Sequence, residues 1–317
     1  MSPGRRTVVV AIGGNALSPS GESASVANQF RHTRESLVPI VELAREGWRI
    51  AIVHGNGPQV GDELLRNQVA REQVEQLPLG VQVAETAGWI GYMIQQSLQN
   101  ALRNAGSERR VVTVVTQTRV EPDDPALRTP SKFIGRRVSP EAAEALRAEG
   151  VVVERDPRGN LRRRVPSPVP VEIVESDMVR ELVFRGDIVI AAGGGGIPVY
   201  EDPVLGLEGV DAVVDKDRAA AILAREIGAS ILLILTDVDA IYEGWGTDQA
   251  RRIPRLTKAE ARRLLASDEL GAGSMRPKLE AAHHFLETGG DRAIVAALDD
   301  GPRALRGEAG TTIESGD

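Results

Sequence analysis

The stretch Ala191-Ala192-Gly193-Gly194-Gly195-Gly196-Ile197-Pro198 decides the fold. It follows Asp187-Ile188-Val189-Ile190, a short β-branched run that reads as a buried strand. Four consecutive glycines let the backbone enter positive φ and come very close to a ligand, and successive bare N–H groups at a strand end form a concave anion site. A mobile surface loop is the competing reading of the same residues.

The same strand-then-glycine pattern occurs twice earlier in the chain. Thr7-Val8-Val9-Val10-Ala11-Ile12 runs into Gly13-Gly14-Asn15, and Arg49-Ile50-Ala51-Ile52-Val53 runs into His54-Gly55-Asn56-Gly57-Pro58-Gln59-Val60-Gly61. These apolar runs lack alternation, as expected for strands buried on both faces of a parallel sheet. A further strand, Ser230 to Leu235, ends in Thr236-Asp237-Val238-Asp239, and residues 110–115 and 292–298 read as two more. Helical patterns cover 26–46, 62–105 with a break near Pro78-Leu79-Gly80, 171–184, 216–225 and 279–287. Strands alternating with helices predict an α/β fold, a mostly parallel sheet with helices on both faces. Ligands of such sheets bind beyond the carboxyl ends of the strands, where all four turns fall.

Between 119 and 170 the chain turns rich in proline and arginine. A short helix (140–149) and a hairpin around Asp156-Pro157-Arg158-Gly159-Asn160 suggest a small subdomain inserted at the edge of the main sheet. Its cluster Arg162, Arg163, Arg164 is read as a solvated hairpin face, with a phosphate site as the alternative.

Composition narrows the chemistry. The chain of 317 residues has no cysteine, which excludes disulfides, thiol nucleophiles and cysteine-held metals. No apolar run reaches membrane-spanning length, no signal-peptide pattern opens the chain, and a formal charge of -7 gives nucleic-acid or membrane-surface binding no support. A cytoplasmic setting is expected. Of 38 basic residues only Lys132, Lys216, Lys258 and Lys278 are lysines. In a chain that otherwise uses arginine, these mark positions where a compact ammonium is needed. Lys258, inside the helix-start signal Thr257-Lys258-Ala259-Glu260, is the exception expected to lie on the surface.

None of the glycine turns matches G-x-G-x-x-G or G-x-x-x-x-G-K-[ST], and neither H-E-x-x-H nor G-x-S-x-G occurs. What remains is a set of backbone anion cradles with sparse lysines, the equipment of phosphoryl transfer, which needs positioning and charge neutralisation. Lys216 and Lys278 stand at helix starts, where the helix dipole adds to their field. Asp217 could orient the ammonium groups or compensate the helix N-terminus. His54 is expected to be structural, and Asp237 and Asp239 serve either ribose and hydrated Mg²⁺ or the turn itself.

Taken together, Ala11-Ile12-Gly13-Gly14-Asn15-Ala16, His54 to Gly61, Ile90-Gly91-Tyr92, Val165-Pro166-Ser167-Pro168, Ala192 to Val199, Val214-Asp215-Lys216-Asp217 and Leu235 to Asp239 closely resemble the carbamate kinases of the amino acid kinase superfamily. The resemblance runs from about Val8 to Thr312. It implies an αβα three-layer sandwich around a mainly parallel sheet of about eight strands, with a single domain over 1–317, a protruding subdomain over 119–170, and homodimerisation. It implies reversible phosphoryl transfer between ATP and carbamate, giving ADP and carbamoyl phosphate, with Mg²⁺ carried by the nucleotide phosphates, often in the service of arginine metabolism.

Carried over residue by residue, the resemblance makes Lys132, Lys216, Lys278 and Asp217 catalytic. It puts Gly13, Gly14, Asn15, Gly55, Asn56, Gly194 and Gly195 around the phosphate, and Thr236, Asp237, Tyr242, Met275 and Pro277 near the nucleotide. One departure stands out: Arg276 replaces the family's glycine and sets a bulky charge beside the expected nucleotide site. The alternatives are a homologue acting on another small carboxylate and a non-catalytic nucleotide- or carbamoyl-phosphate-binding regulator. The three motif lysines argue against the regulator, since a sensor needs affinity but not transition-state neutralisation.

Overall fold

A computed structural model describes residues 6–19, 22–245, 248–267, 270 and 275–316, with the side chain of Asn15 outside that description. Among these residues an eight-stranded sheet runs in the order Arg255–Thr257, Thr311–Glu314, Arg292–Ala297, Ile231–Thr236, Thr7–Ile12, Arg49–His54, Ile188–Ile190, Val111–Thr113. The five pairings from Arg292–Ala297 across to Val111–Thr113 are all parallel, and Thr311–Glu314 runs antiparallel to Arg292–Ala297. The expected mainly parallel sheet is therefore present.

The apolar runs bury both faces, as their lack of alternation required. Val9, Ala11, Val53, Leu232 and Ile234 point to one side, where they meet residues of Lys216–Glu226 and Met275–Glu287. Val8, Val10, Ile12, Ile52, Leu233 and Leu235 point to the other, against Val38–Arg45 and Leu79–Asn104. Each strand thus alternates between two cores, and helices cover the sheet on both faces. The result is the three-layer sandwich.

Three local readings change. The expected helix 26–46 is two helices, Val26–Ser36 and Val38–Arg45, with Pro39 in the first turn of the second, where its missing N–H costs nothing. The expected helix 171–184 begins as a strand: Pro170–Ile173 pairs antiparallel with Gln117–Val120, and the helix is Ser176–Arg185. Both strands belong to a second, four-stranded sheet with Ile197–Asp202 and Gly206–Gly209. Between them lies a third sheet of Lys132–Ile134, Leu161–Val165 and Val153–Arg155, whose helix Pro140–Ala148 closes a small core of Ala143, Leu146 and Val153.

The arginine cluster of that sheet is occupied. Arg162 donates to the Gly135 carbonyl, Arg163 to Gln68 and Arg164 to Glu154, while Arg162 and Arg164 lie over the Phe133 ring. It is an internal brace of the sheet and its neighbours, neither an open face nor a free phosphate site.

Candidate active site

Parallel order brings the four turns to one edge of the sheet. The turns after Thr7–Ile12 and Arg49–His54 touch: the Gly55 N–H donates to the Ile12 carbonyl at 3.0 Å, and a Cβ on Gly55 would lie 2.8 Å from the Gly14 nitrogen and 3.2 Å from Cδ of Lys216. Gly14, Gly55 and the stem of Lys216 therefore pack with no room for a side chain. Gly13 sits beside the end of Ile231–Thr236, its Cβ position 3.8 Å from the Leu235 carbonyl oxygen. The backbone of Asn15 lies in the short helix Gly14–Leu17, and its side chain is outside the described residues.

The four-glycine stretch is buried, which removes the surface-loop reading. It forms a tight turn in which Gly194 and Gly195 take φ of 69° and 97°, and Ala192 also enters positive φ at 48°. Packing demands these glycines. A Cβ on Gly194 would lie 2.3 Å from the Asn56 amide nitrogen, and one on Gly195 2.4 Å from the Val214 carbonyl. Asn56 itself is buried and donates from its amide to Thr86 Oγ1 at 2.9 Å. Thr86, to which the sequence alone assigns no role, thus fixes Asn56 beneath the glycines. His54 is fully buried under Gly193 and donates from Nδ1 to the Gly55 carbonyl. Burial pushes its pKa down to about 4, against hydrogen bonds with the Gly55 and Ala87 backbone, so the ring stays neutral.

The charged centre stands at the start of the helix Lys216–Glu226. Asp215 caps that helix, its Oδ1 accepting from the N–H groups of Asp217 and Arg218 at 2.9 and 3.3 Å. Its Oδ2 lies 2.7 Å from Nζ of Lys132, which reaches over from the third sheet. Asp217 splits its carboxylate between two lysines: Oδ1 accepts from Lys216 and Oδ2 from Lys278 at 3.1 Å. Lys278 is held in the second turn of Met275–Glu287. Lys132, Asp215, Asp217 and Lys278, with Ser131, Ser167 and Pro277, line a cavity of about 300 Å³, and Lys216 is joined to it through Asp217.

The electrostatics follow from burial and pairing. Burial would raise the Asp215 and Asp217 carboxyls, but the lysines hold both below the usual carboxylate range, Lys132 foremost at Asp215 and Lys216 foremost at Asp217. Burial pulls the Lys216 ammonium below its ordinary value despite Asp217, and the like charge of Lys278 adds to the fall. Burial also works against Lys278, yet Asp217, Asp215 and Asp237 together hold it above its ordinary value. The two buried lysines thus differ in proton affinity while sharing one carboxylate.

The remaining expected residues spread along the same edge. Thr236 is buried and donates to Asp237, and Tyr242 donates to Asp239 at 2.9 Å with its ring 5.1 Å from Trp245. Met275 is buried in the core and Pro277 faces the cavity. Arg276 is engaged by backbone: its guanidinium donates to the Leu265 and Ser267 carbonyls at the end of Lys258–Ala266. Its charge thus acts as a cap at the C-terminal end of that neighbouring helix. Thr257 and Glu260 form the predicted capping box at the start of that helix.

Asp215 is the main functional candidate that sequence reasoning missed. Its only local signal is a helix-capping position, and its partner is 83 residues away.

Residues 6–297 match the model of the amino acid kinase family. The chain is 47% identical to a carbamate kinase of Halobacterium salinarum over 98% of both chains, and 45% identical to one of Escherichia coli K12 over 97% of this chain and 99% of the relative. Among solved structures it superposes on a carbamate kinase from Giardia lamblia bound to citric acid with a TM-score of 0.93 and 35% identity, covering 98% and 99% of the two chains. The same enzyme bound to AMP-PNP gives 0.89 and 34% over the same shares. The chain belongs to the amino acid kinase family, in its carbamate kinase branch.

Proposed function

We propose that this protein catalyses reversible transfer of a phosphoryl group between ATP and carbamate, making or consuming carbamoyl phosphate. The observation that carries the reading is the lysine arrangement: Lys216 and Lys278 share Asp217, Lys132 pairs with Asp215, two residues before Asp217, and Lys132, Lys278 and both carboxylates line one cavity. A phosphoryl group in transit spreads negative charge over its equatorial oxygens, and catalysis is mostly positioning and neutralisation. Lys216 and Lys278 neutralise that charge, Asp217 keeps the two ammonium groups apart and aimed, and Lys132 holds the carbamate end. The N-terminus of Lys216–Glu226 adds its dipole.

Gly13, Gly14, Asn15, Gly55, Asn56, Gly194 and Gly195 present backbone and amide donors to the phosphate. Thr236, Asp237, Tyr242, Met275 and Pro277 border the nucleotide, in keeping with the relative solved with AMP-PNP. Mg²⁺ enters as part of the substrate on the nucleotide phosphates, and Asp237, within electrostatic reach of Lys278, is the carboxylate that would hold its water shell. The segment 119–170 serves as a subdomain over the cavity within a single domain of 317 residues. The working form is a cytoplasmic homodimer acting in arginine metabolism. Among the described residues no helix is long and apolar enough to cross a membrane.

The test is ATP formation from ADP, Mg²⁺ and carbamoyl phosphate, with Lys216→Ala as control. Turnover that disappears in the variant is expected. Absence of turnover in the wild-type protein, with ADP still raising its melting temperature, would move the reading to another acceptor.

A further inference from the structure

We propose that Gly61 and Gly135 form a backbone seam that sets the position of Lys132, making both of them positioning residues for the reaction above. The inference rests on that reading of Lys132.

The helix Gly57–Ala70 starts at the glycine turn after Arg49–His54, so its first residues are fixed to the main sheet. Gly61 lies in its second turn and meets Gly135 backbone to backbone. A Cβ on Gly61 would stand 2.0 Å from Cα and 2.6 Å from N of Gly135. Gly135 takes φ of 68°, which favours glycine, and a Cβ there would meet Gly61 Cα at 3.1 Å. Neither position accepts a side chain without separation of the two backbones.

Four further contacts fasten the same place. The Gly135 N–H donates to the Gly57 carbonyl at 3.0 Å. The Gly135 carbonyl accepts from Arg162 Nε and Nη2 at 3.1 and 2.8 Å. Arg136 makes a two-pronged ion pair with Asp62 at 2.9 and 3.1 Å. Ile134 is fully buried in a cluster with Val60, Val83, Val165 and Val213. Lys132 begins the three-residue strand that ends at Ile134, so it stands three residues from the seam.

The consequence is geometric. The strand carrying Lys132 is referenced to the helix that leaves the phosphate turn, not only to its own small sheet. Any side chain at 61 has to open the seam by about 1.4 Å before ordinary contact is reached. That shift passes along a short strand to an ammonium that must meet substrate, and misplacement of about 1 Å costs roughly 100-fold in rate.

The test is a double-mutant cycle in the full-length protein, measuring kcat and KM for carbamoyl phosphate with Gly61→Ala, Lys132→Ala and the pair. Gly61→Ala is expected to melt as one cooperative unit and lose roughly 100-fold in kcat/KM. The pair should be no worse than Lys132→Ala within about threefold, because both remove the same contact. Losses that multiply would overturn the proposal, as would a folded Gly61→Ala with near wild-type turnover and an impaired Lys132→Ala. An unimpaired Lys132→Ala would overturn the lysine's role itself and the seam with it. If Gly61→Ala does not fold, Arg162→Ala loosens the Gly135 carbonyl, and its loss in the same cycle decides between shared and multiplied effects.

Discussion

The ammonium of Lys132 lies 2.7 Å from the carboxylate of Asp215, a contact between residues 83 positions apart. It joins the small three-stranded sheet to the start of the helix that bears Lys216 and Asp217. One carboxylate does two jobs, since Oδ1 caps the helix while Oδ2 faces the lysine. The cap and the ion pair can therefore be separated by chemistry.

Asp215→Asn separates them. Asparagine caps helices as well as aspartate, so Oδ1 keeps its two N–H partners. The other oxygen becomes an NH₂ group that points donors at an ammonium. Lys132 should be released, kcat/KM should fall roughly 10- to 100-fold, and the melting temperature should move by only about 2–4 °C per kcal/mol of any lost pairing. Steady-state kinetics with calorimetry checks this. A large loss of stability with unchanged turnover would show that the cap is all that Asp215 supplies.

Asp217 and the two lysines should behave asymmetrically. Asp217→Asn leaves two buried ammonium groups facing each other without their shared carboxylate. Breaking a buried pair in this way costs about 3–5 kcal/mol. Lys278→Met leaves Asp217 paired with Lys216 and removes the repulsion that Lys278 exerts on Lys216. It should cost much less stability, yet lower kcat by roughly 10²–10³-fold, the usual consequence of losing one transition-state donor. Urea unfolding beside turnover measures both. The carboxylate also sets a pH window. Its folded pKa lies below the ordinary value, so its stabilisation is present above that ordinary value and is lost as pH falls through the folded one.

His54 gives a pH dependence of the opposite kind of group. Its folded pKa is about 4 against an ordinary value of 6.5, so between these the unfolded chain binds the proton and the folded chain does not. Stability therefore falls as pH drops below about 6.5. The histidine's share of that loss amounts to about 2 kcal/mol between pH 7 and pH 5. In His54→Gln the difference in unfolding free energy between these two pH values should shrink by about that amount. Denaturant titrations at the two pH values test it, and an unchanged difference would place the titration elsewhere.

The parts of this site that were legible in the sequence are those written in local pattern. Buried parallel strands announce themselves as unbroken apolar runs, and Thr7–Ile12 and Ile231–Thr236 were visible for that reason. The scarcity of lysine singles out Lys132, Lys216 and Lys278, and all three pair with Asp215 or Asp217 beside a cavity that Lys132 and Lys278 line. What was hidden depends on which residues meet across the fold. Asp215 looks like an ordinary helix cap until Lys132 arrives from another sheet. Pro170–Ile173 carries too few residues to separate a strand from the helix that follows, and only its pairing with Gln117–Val120 decides. Gly61 closes a motif and Gly135 follows Lys132 by three residues, but nothing in the sequence says that the two meet in a single close approach.

Arg276 is a residue whose partners only the fold reveals, and it yields a direct test. Its guanidinium reaches back to the Leu265 and Ser267 carbonyls, the latter at 2.9 Å, tying the end of one helix to the start of the helix that carries Lys278. Restoring the family's glycine with Arg276→Gly removes two charge-assisted hydrogen bonds, each worth about 1.5–3 kcal/mol, and adds a flexible residue inside the first turn of that helix. Because the side chain is held by those carbonyls and does not line the cavity, the loss should appear as lower stability, by about 2–4 °C in Tm for each kcal/mol. KM for ADP should change less than about threefold. Calorimetry and ADP titration of the same preparation separate the two effects, and a KM that moves several-fold at constant Tm would return Arg276 to the nucleotide.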